Sequence, residues 1–238
     1  MKRTLIVVAG VAALLLAAIL GIRQFRGSAP GPGPGPVPPA AASWVKTSEG
    51  DFEESRVDSA GERIRLRAAT RGTRDETVKF LGTRSARKFS LQGSTRVAAR
   101  LDWNNQANGS YLSGSMILAP AETTGNPLTG SDWFKVEVIG VPPGQNARLL
   151  IACKVSGRER FLYTEGWPDT NRSGRKIALE EFEIQLSGGR ATVLENGKVV
   201  FESKDLVVGF DAAYLYLQMS THSNYPPREL IFDRISLP

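Results

Sequence analysis

From Trp44 to Pro238 the apolar residues of this chain recur at every second position. Glu62-Arg63-Ile64-Arg65-Leu66-Arg67 alternates charged and aliphatic side chains. Val97, Ala99, Leu101 and Trp103 mark one side of the run from Arg96 to Trp103. The same period returns in Phe134-Lys135-Val136-Glu137-Val138, in Glu181-Phe182-Glu183-Ile184-Gln185-Leu186, and in the closing runs Ala213 to Met219 and Leu230 to Leu237. Successive side chains of a strand point to opposite faces, so this period is that of strands with one face buried. Turn signals separate the runs: Asn108-Gly109, Pro142-Pro143-Gly144, Gly188-Gly189 and Asn196-Gly197. About a dozen short strands with regular turns and no long helical stripe predict a two-sheet sandwich or a barrel. No repeat of fixed period is present, which argues against a propeller.

The first 43 residues obey other rules. Leu5 to Ile22 is an uncharged apolar run, with Lys2 and Arg3 before it and Arg23 and Arg26 after it. At helical rise it reaches about 27 Å, close to the thickness of a bilayer's hydrocarbon core. A cleaved signal peptide has a shorter apolar stretch followed by a small-x-small site. Gly27-Ser28-Ala29 is followed by Pro30, and Ala40-Ala41-Ala42 lies far downstream. Residues 1–26 therefore read as a signal anchor, a single N-terminal transmembrane helix; cleavage would make the product secreted. Six prolines fall between Gly27 and Ser43, four of them in Pro30-Gly31-Pro32-Gly33-Pro34-Gly35-Pro36. Proline removes donors and glycine opposes packing, so residues 27–43 read as an extended linker reaching roughly 50 Å. The expected organisation is an anchor, a tether and one domain over 44–238, held outside the cytoplasm.

Charge supports this division. The chain has 30 Lys and Arg against 24 Asp and Glu. The first 43 residues hold four of the basic residues and no acid, leaving 44–238 near balance. The remaining excess is local: residues 56–100 carry twelve Lys/Arg against four acids, and Arg63, Arg65 and Arg67 share a strand face. An ordinary solvated face and a patch for an anionic partner, acidic polysaccharide or lipid headgroup, both fit that pattern. Nucleic acid is disfavoured by export and by the lack of a binding motif.

The chain's last strands resemble a known family. The hairpin from Phe182 to Lys198 has the form strand, Gly188-Gly189, strand, Asn196-Gly197, and is followed by the strands Tyr214 to Met219 and Leu230 to Ile235. This order resembles the end of a concanavalin A-like lectin/glucanase domain, the laminin-G-like jelly roll, with the resemblance extending over 44–238. It implies an all-β fold of two antiparallel sheets and a sheet face that binds glycan or cell-wall polymer. Members similar to family 16 glycoside hydrolases carry Glu-x-Asp-x-x-Glu or Glu-x-Asp-x-Glu on one strand. The nearest run here is Glu181-Phe182-Glu183-Ile184-Gln185, where Gln185 cannot serve as an acid. Glu181 and Glu183 remain weak catalytic candidates on what reads as a solvated face.

Other chemistries lack their residues. One histidine, His222, and no Gly-x-Ser-x-Gly elbow argue against a serine hydrolase. One cysteine, Cys153, alternates with Leu149 and Ile151 and reads as a buried apolar residue. Asp169, Asn171, Ser173 and Glu180 match the ligand spacing of a calcium loop. Arg172, Arg175 and Lys176 oppose a cation there, so the expectation is no cofactor, with calcium as the alternative. Sugars are gripped by aromatic faces with Asn, Asp and Arg reading hydroxyls. The candidates are Trp167 with Asp169 and Asn171, Asn105 with Tyr111, and Asn224 with Tyr225. Trp103 continues an aliphatic strand face and reads as core, as does Trp133 at a strand start. The expected function is a non-catalytic, membrane-tethered glycan-binding module. A hydrolase with a degenerate carboxylate motif and an interaction domain without a sugar site are the alternatives.

Overall fold

The computed structural model describes residues 43–69, 78–103, 112–139, 148–165, 179–222 and 228–238. The anchor, nearly all of the linker, and the loop residues Asn105, Tyr111, Trp167, Asp169, Asn171, Ser173, Asn224 and Tyr225 lie outside them. Among the described residues no helix is long and apolar enough to cross a membrane.

Among the described residues fifteen strands form: β1 (Trp44–Glu49), β2 (Glu54–Ala60), β3 (Arg63–Ala69), β4 (Val78–Ser85), β5 (Phe89–Ser90), β6 (Ser94–Asp102), β7 (Leu112–Ala119), β8 (Trp133–Ile139), β9 (Arg148–Val155), β10 (Arg158–Thr164), β11 (Leu179–Ser187), β12 (Arg190–Glu195), β13 (Lys198–Glu202), β14 (Ala212–His222) and β15 (Arg228–Ser236). The first sheet runs β1-β4-β14-β7-β8-β9-β10, with β5 paired to β14. The second runs β13-β12-β11-β6-β15-β3-β2. Every pairing is antiparallel. Half of the neighbours along each sheet are distant in sequence, as β4-β14-β7 and β11-β6-β15 illustrate, so the chain crosses repeatedly between sheets.

Alternation decides what lies between the sheets. Ile64, Leu66, Val97, Leu101, Trp103, Phe134, Val136, Leu149, Ile151, Cys153, Ile184, Leu215, Leu217, Leu230 and Phe232 form one buried cluster. A large side chain fully buried this way contributes about 1.5–3 kcal/mol over leaving it in water. Trp103 and Cys153 take the core places their strand patterns predict. Trp133 is also buried but belongs to a second cluster with Ile117, Ala119, Ala152, Tyr214 and Tyr216. That cluster lies on the outer side of the first sheet, because the alternate residues of the same strands fill the core.

Two turns predicted from sequence have the backbone their residues favour. Gly188 and Gly189 join β11 to β12 at φ 57° and 75°, and Asn196 and Gly197 join β12 to β13 at φ 49° and 77°. Positive φ at both central positions defines the hairpin turn whose twist matches the strands. Ser156-Gly157, with φ 51° and 79°, closes β9 onto β10 in the same way. It was not among the expected turn signals, because serine rarely takes that conformation.

Candidate functional site

Strand register arranges the outer face of the first sheet in rows. One row crosses from β1 to β10 through Thr47, Gly82, Gln218, Ser115, Glu137, Leu150 and Thr164. On one side of it lies Glu49, Phe80, Ser220, Ser113, Ile139 and Arg148. On the other lies Val45, Arg84, Tyr216, Ile117, Lys135, Ala152 and Phe161.

An outer face ordinarily meets water, yet here its polar residues are buried. Gln218 is 3% exposed, Ser115 4%, Lys135 8% and Glu137 9%. Burying such groups is costly unless they are paired. Lys135 Nζ donates to Glu137 Oε2 at 2.6 Å, and Ser113 Oγ donates to Glu137 Oε1 at 2.6 Å. Ser113 also shares a hydrogen bond with Ser220 Oγ. The result is a continuous chain from Ser220 through Ser113 and Glu137 to Lys135. Both carboxylate oxygens of Glu137 are engaged but keep lone pairs that can accept from hydroxyls.

The segment 121–132 covers the β1-β4-β14 side of this face. Tyr216 Oη donates to the Ala121 carbonyl at 2.6 Å and accepts from Thr123 N at 3.1 Å. Arg84 pairs with Glu122, and Tyr214 Oη donates to the same carboxylate at 2.8 Å. Arg84 also stacks over the Tyr214 ring, 4.7 Å from its centroid. The Tyr214 hydroxyl, and then the Arg84 charge, hold the Glu122 carboxyl below its ordinary value. Burial pushes the Tyr216 hydroxyl up. Asn126 donates its backbone N–H to Glu49 at 3.1 Å, and Gln218 Nε2 reaches Asn126 Oδ1 at 3.4 Å. Trp133 Nε1 donates to the Leu128 carbonyl at 3.1 Å. Exposure rises at the other end: Thr164 is half-buried and Phe161 is 69% exposed.

The chemistry of this face is that of hydrogen bonding. Hydrolysis of a glycosidic bond takes two carboxyl groups flanking it. Among the described residues none of Glu137's neighbours in the rows is an acid: Ser115 and Leu150 lie beside it, Lys135 and Ile139 along its strand. No group of three or more His, Cys, Asp or Glu able to hold a metal occurs among the described residues.

The residues singled out from the sequence fall elsewhere. Glu181 and Glu183 are on the outer face of the second sheet, where Arg234 lies 3.7 Å from Glu181 and Arg96 2.7 Å from Glu183. Glu180 points the opposite way on the same strand and is buried. Arg63, Arg65 and Arg67 also line the second sheet's outer face, on β3. Arg65 is 3.5 Å from Glu229 and Arg67 3.3 Å from Glu54, so acids from β15 and β2 interleave with this basic stripe. The remaining sugar-site and calcium-loop residues are outside the described residues.

Sequence reasoning passed over Ser113, Ser115, Lys135, Glu137 and Gln218. Lys135 and Glu137 alternate with apolar residues, which is also the pattern of a solvated face. A usable signal lay in β14, where Tyr214, Tyr216, Gln218 and Ser220 occupy the polar side without one charge. An uncharged, aromatic-rich polar side is that of a face something else covers.

No family model and no curated protein matches the chain. Solved structures do. A functionally unknown protein from Saccharomyces cerevisiae superposes with a TM-score of 0.50 at 15% identity, over 83% of this chain and 96% of that one. A prokaryotic beta-1,3-1,4-glucanase (lichenase) derived from a mouse hindgut metagenome gives 0.50 at 10% identity, over 80% and 90%. The carbohydrate-binding module CBM66 from Bacillus subtilis gives 0.48 at 8% identity, over 82% and 94%. At such identities the likeness is one of fold. Two antiparallel sheets packed on one core, with chain crossings between them, give the described residues the concanavalin A-like jelly-roll fold.

Proposed function

We propose that this domain is a non-catalytic glycan-binding module whose ligand lies along the outer face of the first sheet. The observation that carries this reading is the set of registered polar rows, held in place by the pairing of Gln218, Ser115, Glu137, Ser113 and Lys135, covered by the segment 121–132 on the β1-β4-β14 side and opening to solvent at Thr164 and Phe161 on the β10 end. A sugar polymer offers hydroxyls that both donate and accept, which matches a face rich in hydroxyl, amide and carboxylate groups. The lichenase of the same fold acts on a beta-1,3-1,4-glucan, which makes a glucan the first ligand to try. Binding rather than hydrolysis is favoured by the engagement of Glu137 by Lys135 and Ser113, with no acid beside it in the rows among the described residues. The apolar run Leu5–Ile22 and the Pro/Gly segment after it support a membrane-anchored, extracytoplasmic module tethered near its polymer.

The test is titration calorimetry of the full chain in detergent against soluble neutral and acidic polysaccharides. Thr164→Ala, at the open end of the row, should weaken binding about fivefold, the worth of one lost hydrogen bond. Arg65→Gln, on the opposite sheet, should leave it unchanged. Absence of binding to every polysaccharide would refute the reading. So would loss of binding in Arg65→Gln with Thr164→Ala intact.

A further inference from the structure

We infer that the glycan this face takes is acidic, and that Arg148, at the open β9-β10 end of the rows, holds its anionic group; the inference rests on the glycan-binding reading above. Arg148 opposes Ile139 in the β8-β9 register, Ile139 opposes Ser113, and Ser113 opposes Ser220. Arg148, Ile139 and Ser220 are half-buried, so this row is more open than the one beside it, where Gln218, Ser115, Glu137 and Leu150 are all buried. Thr164, also half-buried, opposes Leu150, two residues along β9 from Arg148 on the same face. Diagonal neighbours of this kind lie about 7–8 Å apart, close enough for one sugar residue to reach both.

The Arg148 side chain has given up water without gaining a partner. Its Nε is buried and makes no hydrogen bond, and no ion pair joins it to an acid among the described residues. The acids beside it along the strands are engaged elsewhere. Glu137, its diagonal neighbour on β8, accepts from Lys135 and Ser113, and Glu165 accepts from Leu149 N at 3.1 Å. Residues 140–147, which lead into β9, contain no acid.

Charge sets the ligand class. The other cations of the rows are paired, Lys135 with Glu137 and Arg84 with Glu122. Arg148 and Glu49 remain, at opposite ends of one row. Along β1-β4-β14-β7-β8-β9 they are five strand spacings apart, about 24 Å, more than two Debye lengths at physiological salt, so Glu49 does not neutralise Arg148. A partly desolvated charge without a counter-ion is costly, and a ligand that brings the counter-ion removes that cost. A carboxylate matches the plane of the guanidinium with two parallel N–H···O bonds; a sulfate ester offers the same anionic oxygens without the planar match. A neutral sugar leaves the charge as it was.

Three polymers of one backbone test this: soluble beta-1,3-1,4-glucan and its carboxymethylated and sulfated derivatives at equal substitution, each titrated into the full chain in detergent. A charged polymer should bind about tenfold tighter than the neutral one at low salt, and the advantage should shrink as salt rises. Which of the two charged polymers binds tighter tells carboxylate from sulfate. Arg148→Gln should erase the advantage and leave affinity for the neutral polymer unchanged, whereas Arg65→Gln, which removes a positive charge from the opposite sheet, should keep it. Arg148→Gln should also unfold at or above the wild-type urea midpoint, because it removes a charge that no described residue pairs. Equal affinity for the neutral and charged polymers, or an advantage that survives in Arg148→Gln or vanishes in Arg65→Gln, overturns the inference while leaving glycan binding intact. So does a lowered midpoint in Arg148→Gln with the neutral polymer lost as well, the mark of an arginine that serves the fold. If none of the three binds the wild type, the inference and the choice of glucan fall together, and the wider polysaccharide panel decides the glycan-binding reading separately.

Discussion

Leucine in place of Glu137 would isolate one half of a nearly dry ion pair. Lys135 Nζ and Glu137 Oε2 are 2.6 Å apart, and the two side chains keep only 10% and 11% exposure. Removing the carboxylate strands the ammonium and takes from Ser113 its acceptor at 2.6 Å. Breaking a buried pair from one side costs about 3–5 kcal/mol. Ser113 keeps its bond to Ser220, which places the expected cost at the lower end, about 3 kcal/mol. For a domain of this size that is a fall in Tm of about 6–12 °C. Lys135→Met, which leaves the carboxylate without its cation, should cost about the same. The double variant removes both charges together, so it should be no less stable than either single one, a coupling of about 3 kcal/mol. Urea denaturation followed by tryptophan fluorescence measures all three. If the two single effects simply add within about 0.5 kcal/mol, the pair is screened by water. The covered polar face would then be an open groove, and the burial argument would fail.

Acid should loosen the molecule at defined places. The Tyr214 hydroxyl and the Arg84 charge lower the Glu122 carboxyl, and the hydrogen bond from Arg100 lowers Asp233. Carboxyls depressed by folding stabilise above their unfolded values, and that contribution is lost as pH falls through the depressed folded ones. Hydrogen exchange of 121–132, corrected for intrinsic rate, should therefore accelerate once pH drops below the ordinary glutamate value of 4.5. An unchanged acid profile in Glu122→Gln would remove Glu122 as the cause. At the β11-β12 turn, a side chain on Gly189 would meet the Val208 carbonyl at 2.7 Å at φ +75°, whereas Gly188 at φ +57° has open space. Gly189→Ala should cost about 2–4 kcal/mol and Gly188→Ala about 1 kcal/mol, the price of positive φ alone. Equal urea midpoints for the two would mean that the strap at 206–208, which bonds to the Gly189 carbonyl at 2.8 and 3.0 Å, simply moves aside.

The fold was legible because strand alternation is a local property. Ile64 and Leu66, Val97 to Trp103, and Phe182 to Leu186 take the buried sides that their spacing predicts. The turns at Gly188-Gly189 and Asn196-Gly197 were equally legible, since a positive φ at two successive residues selects Gly and Asn. The site was not. Arg63, Arg65 and Arg67 drew attention as a like-charged stripe, but Glu54 and Glu229 that meet two of them come from other strands. Glu181 and Glu183 have the spacing of a catalytic strand and lie on the second sheet, among Arg96, Arg100 and Arg234.

The sequence alone determined where the described strands between 44 and 238 fall, which side of each is apolar, and where the turns at Gly188-Gly189 and Asn196-Gly197 lie, because each depends on residues adjacent in the chain. Only the tertiary structure decided that the polar side of β7, β8 and β14 is covered while that of β3, β6 and β11 meets solvent. Lys135 and Glu137 look like Arg65 and Arg67 in a string of letters; they differ because Ser113, Gln218 and the segment 121–132 converge on the same sheet face from distant parts of the chain. Burial and pairing depend on such non-local neighbours, and a period of two carries no information about them.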